Sequence, residues 1–438
     1  MKTKNDLKRQ KLLLLLSLLI ITLFSVEFTY AFKILQDQPQ QDIIEFQEFN
    51  GVVVEKESGN ALVFATLTIN NTNISTITNS SGEFQLKVPK EMTDAIVTIS
   101  YIGFVKKEIP IDQLKKSGNK IELTNAIIAL SEIKIIMHKD AKALVKTTLK
   151  KRSVNNVNKH VLMTAFYRET IKKRRKNVSL AEAIVNIYKQ PYNSMKKDDI
   201  ELFKARKSTD YTKLDTVALK LQGGPFNPLY IDLMKYPEYI FANDMMRSYS
   251  FSFAPSTIID GKTVFVVNFK QLIDVTEPLY YGKLYIDAET LALRSAIYNL
   301  NVENKTLTSA LFVRKRPKDI LVYPTNAAYR VDYREKDGKW YYGYGNVQLT
   351  FKIKRKRKWF NSVYSLTSEM AVTDWEINVD KEKLKNKEKL KKSIVISDET
   401  SGFSDPEFWG AYNVIEPEKS IESAINKIKR QLKKSSNG

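Results

Sequence analysis

Along Glu83–Val88 the apolar residues Phe84, Leu86 and Val88 alternate with Glu83, Gln85 and Lys87. Period two is the mark of a strand with one buried and one wet face. Similar short runs recur from Glu48 to about Leu130: Gly51–Val54, Val63–Ile69, Ser75–Thr78, Ile96–Tyr101, Phe104–Ile109 and Lys120–Ala129. Turn residues separate them at Ser58-Gly59-Asn60, Asn70-Asn71, Asn79-Ser80-Ser81-Gly82, Pro89 and Gly103. Several short strands at a spacing of about ten residues predict an antiparallel sandwich.

The pattern then changes. Asp140 precedes a run with Leu144, Val145 and Leu149 on one helical face, so a capped helix is expected over Asp140–Arg152. From there to about Trp375 the chain reads as long antiparallel strands. Asp260-Gly261 parts Phe251–Ile259 from Thr263–Phe269, and Asp337-Gly338 parts Ala328–Arg334 from Trp340–Phe351. Both dipeptides demand tight hairpins. Tyr281–Ile286 passes through Asp287–Thr290 into Leu291–Leu300 as a further hairpin, and Asn227–Met234 reads as a short helix. Asp380–Lys392 is a charged stretch, a solvated helix or linker. Pro417 opens a last helix whose Ile421, Ile425, Ile428 and Leu432 form one apolar stripe.

The first residues set the expected compartment. Lys2, Lys4, Lys8, Arg9 and Lys11 precede an apolar run from Leu12 to Val26, and Thr29-Tyr30-Ala31 offers small residues at an exit. A basic flank, a short apolar core and such an exit predict a secretory signal peptide cleaved between Ala31 and Phe32. The run of about 15 residues is short of the roughly 20 that span a bilayer. An uncleaved anchor is the alternative, and no later segment is long and apolar enough for a transmembrane helix. The expected division is therefore a leader at 1–31, a Gln-rich linker at 32–46, a β-sandwich at 47–137, an antiparallel β domain at 138–378, and a charged linker with an amphipathic helix at 379–438.

Composition adds exclusions. There is no cysteine among the 438 residues, so disulfides, thiolate nucleophiles and Cys-held metals are absent. The 22 Tyr and 21 Phe favour strands. The formal charge of +21 calls for an anionic surface or serves solubility alone; outside the cytoplasm the available anions are lipid headgroups and other acidic envelope surfaces, not nucleic acid.

The ordered set Gly51-Val52-Val53, Ala65–Ile69, Ser75–Asn79, Gly82–Leu86 and Val97–Phe104 ending in Tyr101-Ile102-Gly103-Phe104 resembles the carboxypeptidase-regulatory-like domain common in Bacteroidetes envelope proteins. That resemblance implies a seven-stranded, transthyretin-like sandwich of the immunoglobulin kind and an accessory role without catalytic residues of its own. Phe166-Tyr167-Arg168-Glu169 with Val178–Ala183 and Ile187-Tyr188 looks like a region found beside that domain in uncharacterised proteins of the same group. Gly282–Asp287 with the strand after it resembles the lipoprotein-carrier half-barrel, which implies a curved sheet that cups an acyl chain. The expected fold is mainly β: this sandwich, then a larger curved antiparallel sheet with a few helices.

Catalytic chemistry finds little to stand on. A zinc peptidase needs two His and a carboxylate, usually with a His-x-x-Glu pair. The chain has only His138 and His160, followed three residues on by Ala141 and Met163. Gly-x-Ser-x-Gly, Walker-type and Gly-x-Gly-x-x-Gly motifs are all missing. Asp198-Asp199 and Asp332 with Glu335 are the acids that could pair, and turn or rim positions account for them as well. Gly223-Gly224-Pro225 is a loop. The aromatic strands Trp340–Tyr344 and Tyr280-Tyr281 fit either a sheet core or the lining of an apolar pocket. The basic run Lys352, Lys354, Arg355, Lys356, Arg357, Lys358 leads into Trp359-Phe360. Lys354, Arg355, Lys356, Arg357, Lys358 and Trp359 are the candidate contact with anionic lipid or a membrane surface; the solvated end of a long hairpin is the other reading.

The sequence thus predicts an exported, non-enzymatic binding or scaffolding protein of the periplasm or outer-membrane periphery, without metal or cofactor. Its expected partner is a lipid or other apolar ligand in the curved sheet, or an envelope protein joined by strand addition. A hydrolase with an unrecognised carboxylate site is the remaining alternative.

Overall fold

The computed structural model describes residues 45–126, 140–174, 176–209, 222–242, 244–313, 318–356, 361–378, 384–396 and 408–416. Seven strands come first: β1 (Phe46–Glu55), β2 (Thr66–Ile69), β3 (Ser75–Ile77), β4 (Glu83–Pro89), β5 (Ile96–Ser100), β6 (Lys107–Pro110) and β7 (Asn119–Leu123). They form a sheet of order β4-β1-β7 and a second of order β3-β2-β5-β6. Between the two lie Val53, Leu67, Phe84, Leu86, Val97, Ile99 and Ile121. The alternation at Glu83–Val88 works as expected, since Phe84, Leu86 and Val88 are all buried. Lys87 is buried as well, because the other face of β4 is not open to water.

The remaining strands make one antiparallel sheet: β8 (Val161–Lys173), β9 (Lys176–Lys189), β10 (Asp199–Thr209), β11 (Tyr249–Ile259), β12 (Lys262–Gln271), β13 (Tyr280–Asp287), β14 (Leu293–Leu300), β15 (Ile320–Lys336), β16 (Lys339–Arg355) and β17 (Ser362–Ile377). Its order is β10-β9-β8-β17-β16-β15-β14-β13-β12-β11. The two expected tight turns are there, with φ of 53° and 76° at Asp260-Gly261 and 52° and 70° at Asp337-Gly338. Positive φ at both central residues gives the turn the hand that matches strand twist.

One face of this sheet encloses a large apolar core. Met163 and Tyr167 on β8, Val267 and Phe269 on β12, Tyr298 on β14 and Tyr342 on β16 all belong to it. Neighbouring strands sit about 4.8 Å apart, so β8 and β12, six positions apart in the order, share one core because the sheet wraps round it. The core is closed by α1 (Ala141–Lys150), capped by the Asp140 carboxylate on the Lys142 N–H at 2.8 Å, and by residues 222–246. This cover carries α3 (Phe226–Tyr230) and α4 (Glu238–Phe241). A short α2 (Arg152–Asn155) follows α1, and α5 (Lys305–Phe312) packs beside the start of β15.

The aromatic strand Trp340–Tyr344 is sheet core, divided by a bulge. Asp332 pairs with Tyr344 while Tyr333 pairs with Tyr342, which leaves Gly343 as the extra residue. The bulge turns Tyr342 into the concave core and Tyr344 onto the convex face.

A polar knot pins the cover to the sheet. Lys189 Nζ donates to Asp198 Oδ2 and Asp232 Oδ2, each at 2.7 Å, and all three side chains are fully buried. Tyr192 Oη and Tyr333 Oη donate to Asp232 at 2.9 and 2.7 Å, and Tyr236 Oη donates to Asp198 at 2.8 Å. Burial alone would pull the Lys189 ammonium down, but the two carboxylates reverse this and hold it above its ordinary pKa. Asp198 is thus an interior residue rather than a turn acid, while Asp199 pairs with Lys389 at 2.8 Å.

The charged stretch after Asp380 packs instead of standing free over its described part. Leu384 and Ile396 are buried, and Leu390 N–H donates to Ile200 O at 2.7 Å along the outer side of β10. The leader with Ala31 and Phe32, His138, and the expected last helix lie outside the described residues. No helix among the described residues is long and apolar enough to cross a membrane.

Replacing Lys189 by Met strands Asp198 and Asp232 as buried, uncompensated charges. We expect a loss of about 3–5 kcal/mol in unfolding free energy, measured by denaturant titration.

Candidate functional site

The sandwich meets the large sheet at two places, one on its convex face and one at its β11 edge. At one, Ser75 Oγ on β3 donates to Val372 O on β17 at 3.3 Å, Lys336 Nζ donates to Asn73 Oδ1 at 2.6 Å, and Asn73 also bonds Trp375 O. Residues 408–416 run beside this contact as a strap. Asn413 exchanges two hydrogen bonds with the Lys87 backbone, at 2.7 and 3.0 Å. Arg168 Nη2 and Thr76 Oγ1 donate to the carbonyls of Ile415 and Val414 at 2.5 and 3.1 Å. Trp409, Val414 and Ile415 cover Phe166, Ile184 and Ala371. At the second place, Gly103 N–H donates to Ile258 O at 3.1 Å, at the end of β11. Gly103 has φ of 82° there, a conformation that suits glycine.

Between these contacts lies a cleft of about 940 Å³. Thr66, Thr68, Thr98 and Ser100 of β2 and β5 line one side, because the alternating Leu67, Ile69, Val97 and Ile99 turn inward. Ser295, Arg330, Asp332, Arg334 and Tyr344 of β14, β15 and β16 line the other, with Phe64, Tyr101 and Trp375 at its borders.

The charges of this lining cancel. Lys106, Lys262, Arg294, Arg330, Arg334 and Lys336 are matched in number by Asp94, Glu108, Asp260, Asp332, Glu335 and Asp337. Most of them are tied in pairs: Arg330–Asp332 at 2.7 Å, Arg294–Asp260 at 2.8 Å, Lys262–Glu335 at 3.0 Å and Lys106–Glu108 at 2.7 Å. Ser295 Oγ also donates to Asp332 at 2.5 Å. Burial would lower the Arg330 guanidinium, yet Asp332 raises it above its ordinary pKa. The Glu335 hydrogen bond raises Lys262.

Arg334 is held differently. Its guanidinium donates to Ser75 Oγ and, at 2.6 Å, to Val372 O, and lies 4.5 Å from the centre of the Trp375 ring. Burial lowers its pKa, with only Asp374 acting the other way. Asp374 in turn is raised by burial, against the Trp375 N–H and Arg334. Two buried polar atoms of the lining have no hydrogen-bond partner: Arg334 Nε, a donor, and Asp260 Oδ1, an acceptor.

The basic candidates lie elsewhere. Lys354 and Arg355 end β16 and Lys356 follows it, none of them in the cleft lining. Arg357, Lys358 and Trp359 are outside the described residues. His160 sits just before β8, where its carbonyl accepts the Asn378 N–H at 2.9 Å. Among the described residues no group of His, Asp and Glu is placed to hold a metal. Sequence reasoning reached Asp332 and Glu335 only as acids and missed the cleft itself. The available signal was Arg330-x-Asp332-x-Arg334 on one strand face, matched by Thr66-x-Thr68 on another.

Comparison with known proteins bears on the fold. Residues 49–135 match the model of the CarboxypepD_reg-like domain. No curated protein matches the chain. Similar solved structures include a putative outer membrane lipoprotein-sorting protein domain from Vibrio parahaemolyticus, with a TM-score of 0.25, 8% identity, and coverage of 56% of this chain and 94% of that one. A DUF1329 family protein from Desulfovibrio piger gives a TM-score of 0.24 at 10% identity, covering 55% of this chain and 93% of that one. A LolA superfamily protein from Nitrosomonas europaea gives 0.18 at 10% identity, with 57% and 98% covered. The regulatory-domain match is the one expected from the sequence. The chemistry of the cleft comes from this chain's own residues.

Arg334→Met removes both donors that bridge β15 to β3 and β17. Unfolding free energy should fall by about 1–3 kcal/mol, and Trp375 emission should change with loss of the cation above its ring. Arg334→Lys, which keeps charge without the planar fork, should recover only part of the stability.

Proposed function

We propose that this chain is a non-enzymatic cell-envelope binding protein that seats a polar, uncharged ligand between its sandwich and the convex face of its large sheet. The charge balance of the cleft carries this reading. A chain with a formal charge of +21 places equal numbers of acids and bases round its 940 Å³ cleft, and convergent polar groups in a concavity are what fix a ligand's orientation. The hydroxyls of Thr66, Thr68 and Ser100 supply donors and acceptors without net charge. Asp260, Asp332 and Glu335 are each paired with a cation of the same lining. The basic, apolar leader Lys2–Val26 supports export.

A second reading keeps the apolar ligand, a lipid chain in the curved sheet. It is favoured by the aromatic run Phe241, Tyr249, Phe269, Tyr298 and Tyr329, whose rings touch in series across the concave face. That face is filled here, so a lipid would enter only as the Asp232-pinned cover moves out.

Mass spectrometry of material released by denaturing protein purified from the envelope separates the two. The expected result is a non-lipid polar compound that Arg330→Met with Thr66→Val fails to retain. Recovery of lipid, unaffected by those substitutions, moves the seat to the concave face. Release of nothing, together with Trp375 emission that no polar compound in a ligand panel alters, overturns the cleft reading.

A further inference from the structure

We infer that the sheet end carrying Arg174, Lys176, Lys354 and Lys356 is a docking surface for an anionic bilayer. This goes beyond ligand binding in the cleft and uses none of its residues. The fold gathers there basic groups that are far apart in the chain. Arg174 N–H donates to Val363 O at 2.9 Å, which fixes the β8–β9 tip against the start of β17. Lys356 N–H donates to Asp319 O at 3.1 Å, which fixes the end of β16 beside the entry to β15. Arg174, Lys176, Lys354 and Lys356 are exposed at this end. Glu303 and Asp319 of the β14–β15 connection, with Asp274 and Glu277 of the β12–β13 connection, are the acids among the described residues of these connections at this end.

Charge alone describes a solvated rim; the apolar residues beside it do not. Leu321 pairs across the ladder with Lys354, so the two side chains share a face, and Leu321 is 44% exposed. On α5, Leu307 and Leu311 stand one turn apart and are 41% and 61% exposed. α5 lies against β15, with Ser309 Oγ donating to Val322 O at 3.0 Å and Lys305 Nζ 5.1 Å from the Tyr323 ring centre. Three exposed leucines within a field of lysine and arginine suit a bilayer boundary, where the cations meet headgroup phosphates and the leucines enter the acyl margin. A duplex nucleic acid would use the cations and leave the leucines in water.

The test is flotation of the chain as isolated with phosphatidylcholine vesicles, with and without phosphatidylglycerol. The uncharged vesicles report whatever the apolar run Leu12–Val26 contributes. The expected result is binding that requires phosphatidylglycerol and is lost near ~1 M salt, where screening acts within about 3 Å. Lys354→Glu with Lys356→Glu should weaken it about tenfold or more, as should adding Arg174→Glu to either single change. Leu307→Ser with Leu311→Ser should lower the bound fraction on anionic vesicles at low salt. All these positions are exposed, so unchanged near-ultraviolet circular dichroism separates lost binding from lost folding. Equal binding to both vesicle types, or charge variants that float like the parent, overturns the inference. So does salt-sensitive binding to a DNA duplex without vesicle binding.

Discussion

A ten-stranded antiparallel sheet has two faces, and neither can be left bare when both carry large apolar side chains. The rest of this molecule answers that constraint. On the concave side α1 and the 222–246 cover bury Tyr167, Phe269, Tyr298 and Tyr342. On the convex side the sandwich and the strap at 408–416 share the work, with Ile77, Trp409, Val414 and Ile415 closing over Phe166, Ile184, Tyr344 and Ala371. The sandwich touches the large sheet at separate points, and the cleft is the interval between them. Its location follows from how the sheet is covered.

The two covers are held by different physics. The concave one is fixed by apolar packing plus a fully desolvated charge cluster, in which one ammonium serves two carboxylates and three tyrosine hydroxyls satisfy most of the remaining lone pairs. Such a cluster adds little net stability over an apolar equivalent, yet it tolerates one geometry, because any displacement leaves charges unpaired in a dry interior. The convex seam relies on side chains that read backbone carbonyls: Arg334 on Val372, Arg168 on Ile415, Thr76 on Val414. The Arg168 and Thr76 bonds are themselves buried.

Much of the fold was legible because it rests on local rules. Alternation at Phe84, Leu86 and Val88, the Asp-Gly turns at Asp260 and Asp337, and the Asp140 cap each need only a few neighbouring residues to make their case. The paired cluster at Lys189 was not legible. Its members are separated along the chain, Asp232 arrives on a cover whose position no local pattern states, and Asp198 beside Asp199 looks like any polar turn. Gly343 is similar: that Tyr342 and Tyr344 face opposite sides depends on a bulge set by the partner strand. The cleft was hidden for the same reason, being made by the approach of two bodies, although the charged alternation Arg330, Asp332, Arg334 in a long strand was visible evidence that the strand's outer face is not plain solvent.

The distribution of charge argues for a division of labour. A uniform excess of cations would have left the cleft positive and drawn any polyanion into it. Instead the cleft lining holds as many carboxylates as cations, while Lys354, Lys356, Arg174 and Lys176 gather at one end of the sheet. Unbalanced cations are thus placed at that sheet end, and balanced charges in the cleft lining. On the readings proposed above, long-range attraction would turn the molecule toward an anionic surface, and short-range hydrogen bonding would select what enters the cleft. Placing the two apart would let one part of the chain be drawn to a surface without that surface competing for the other.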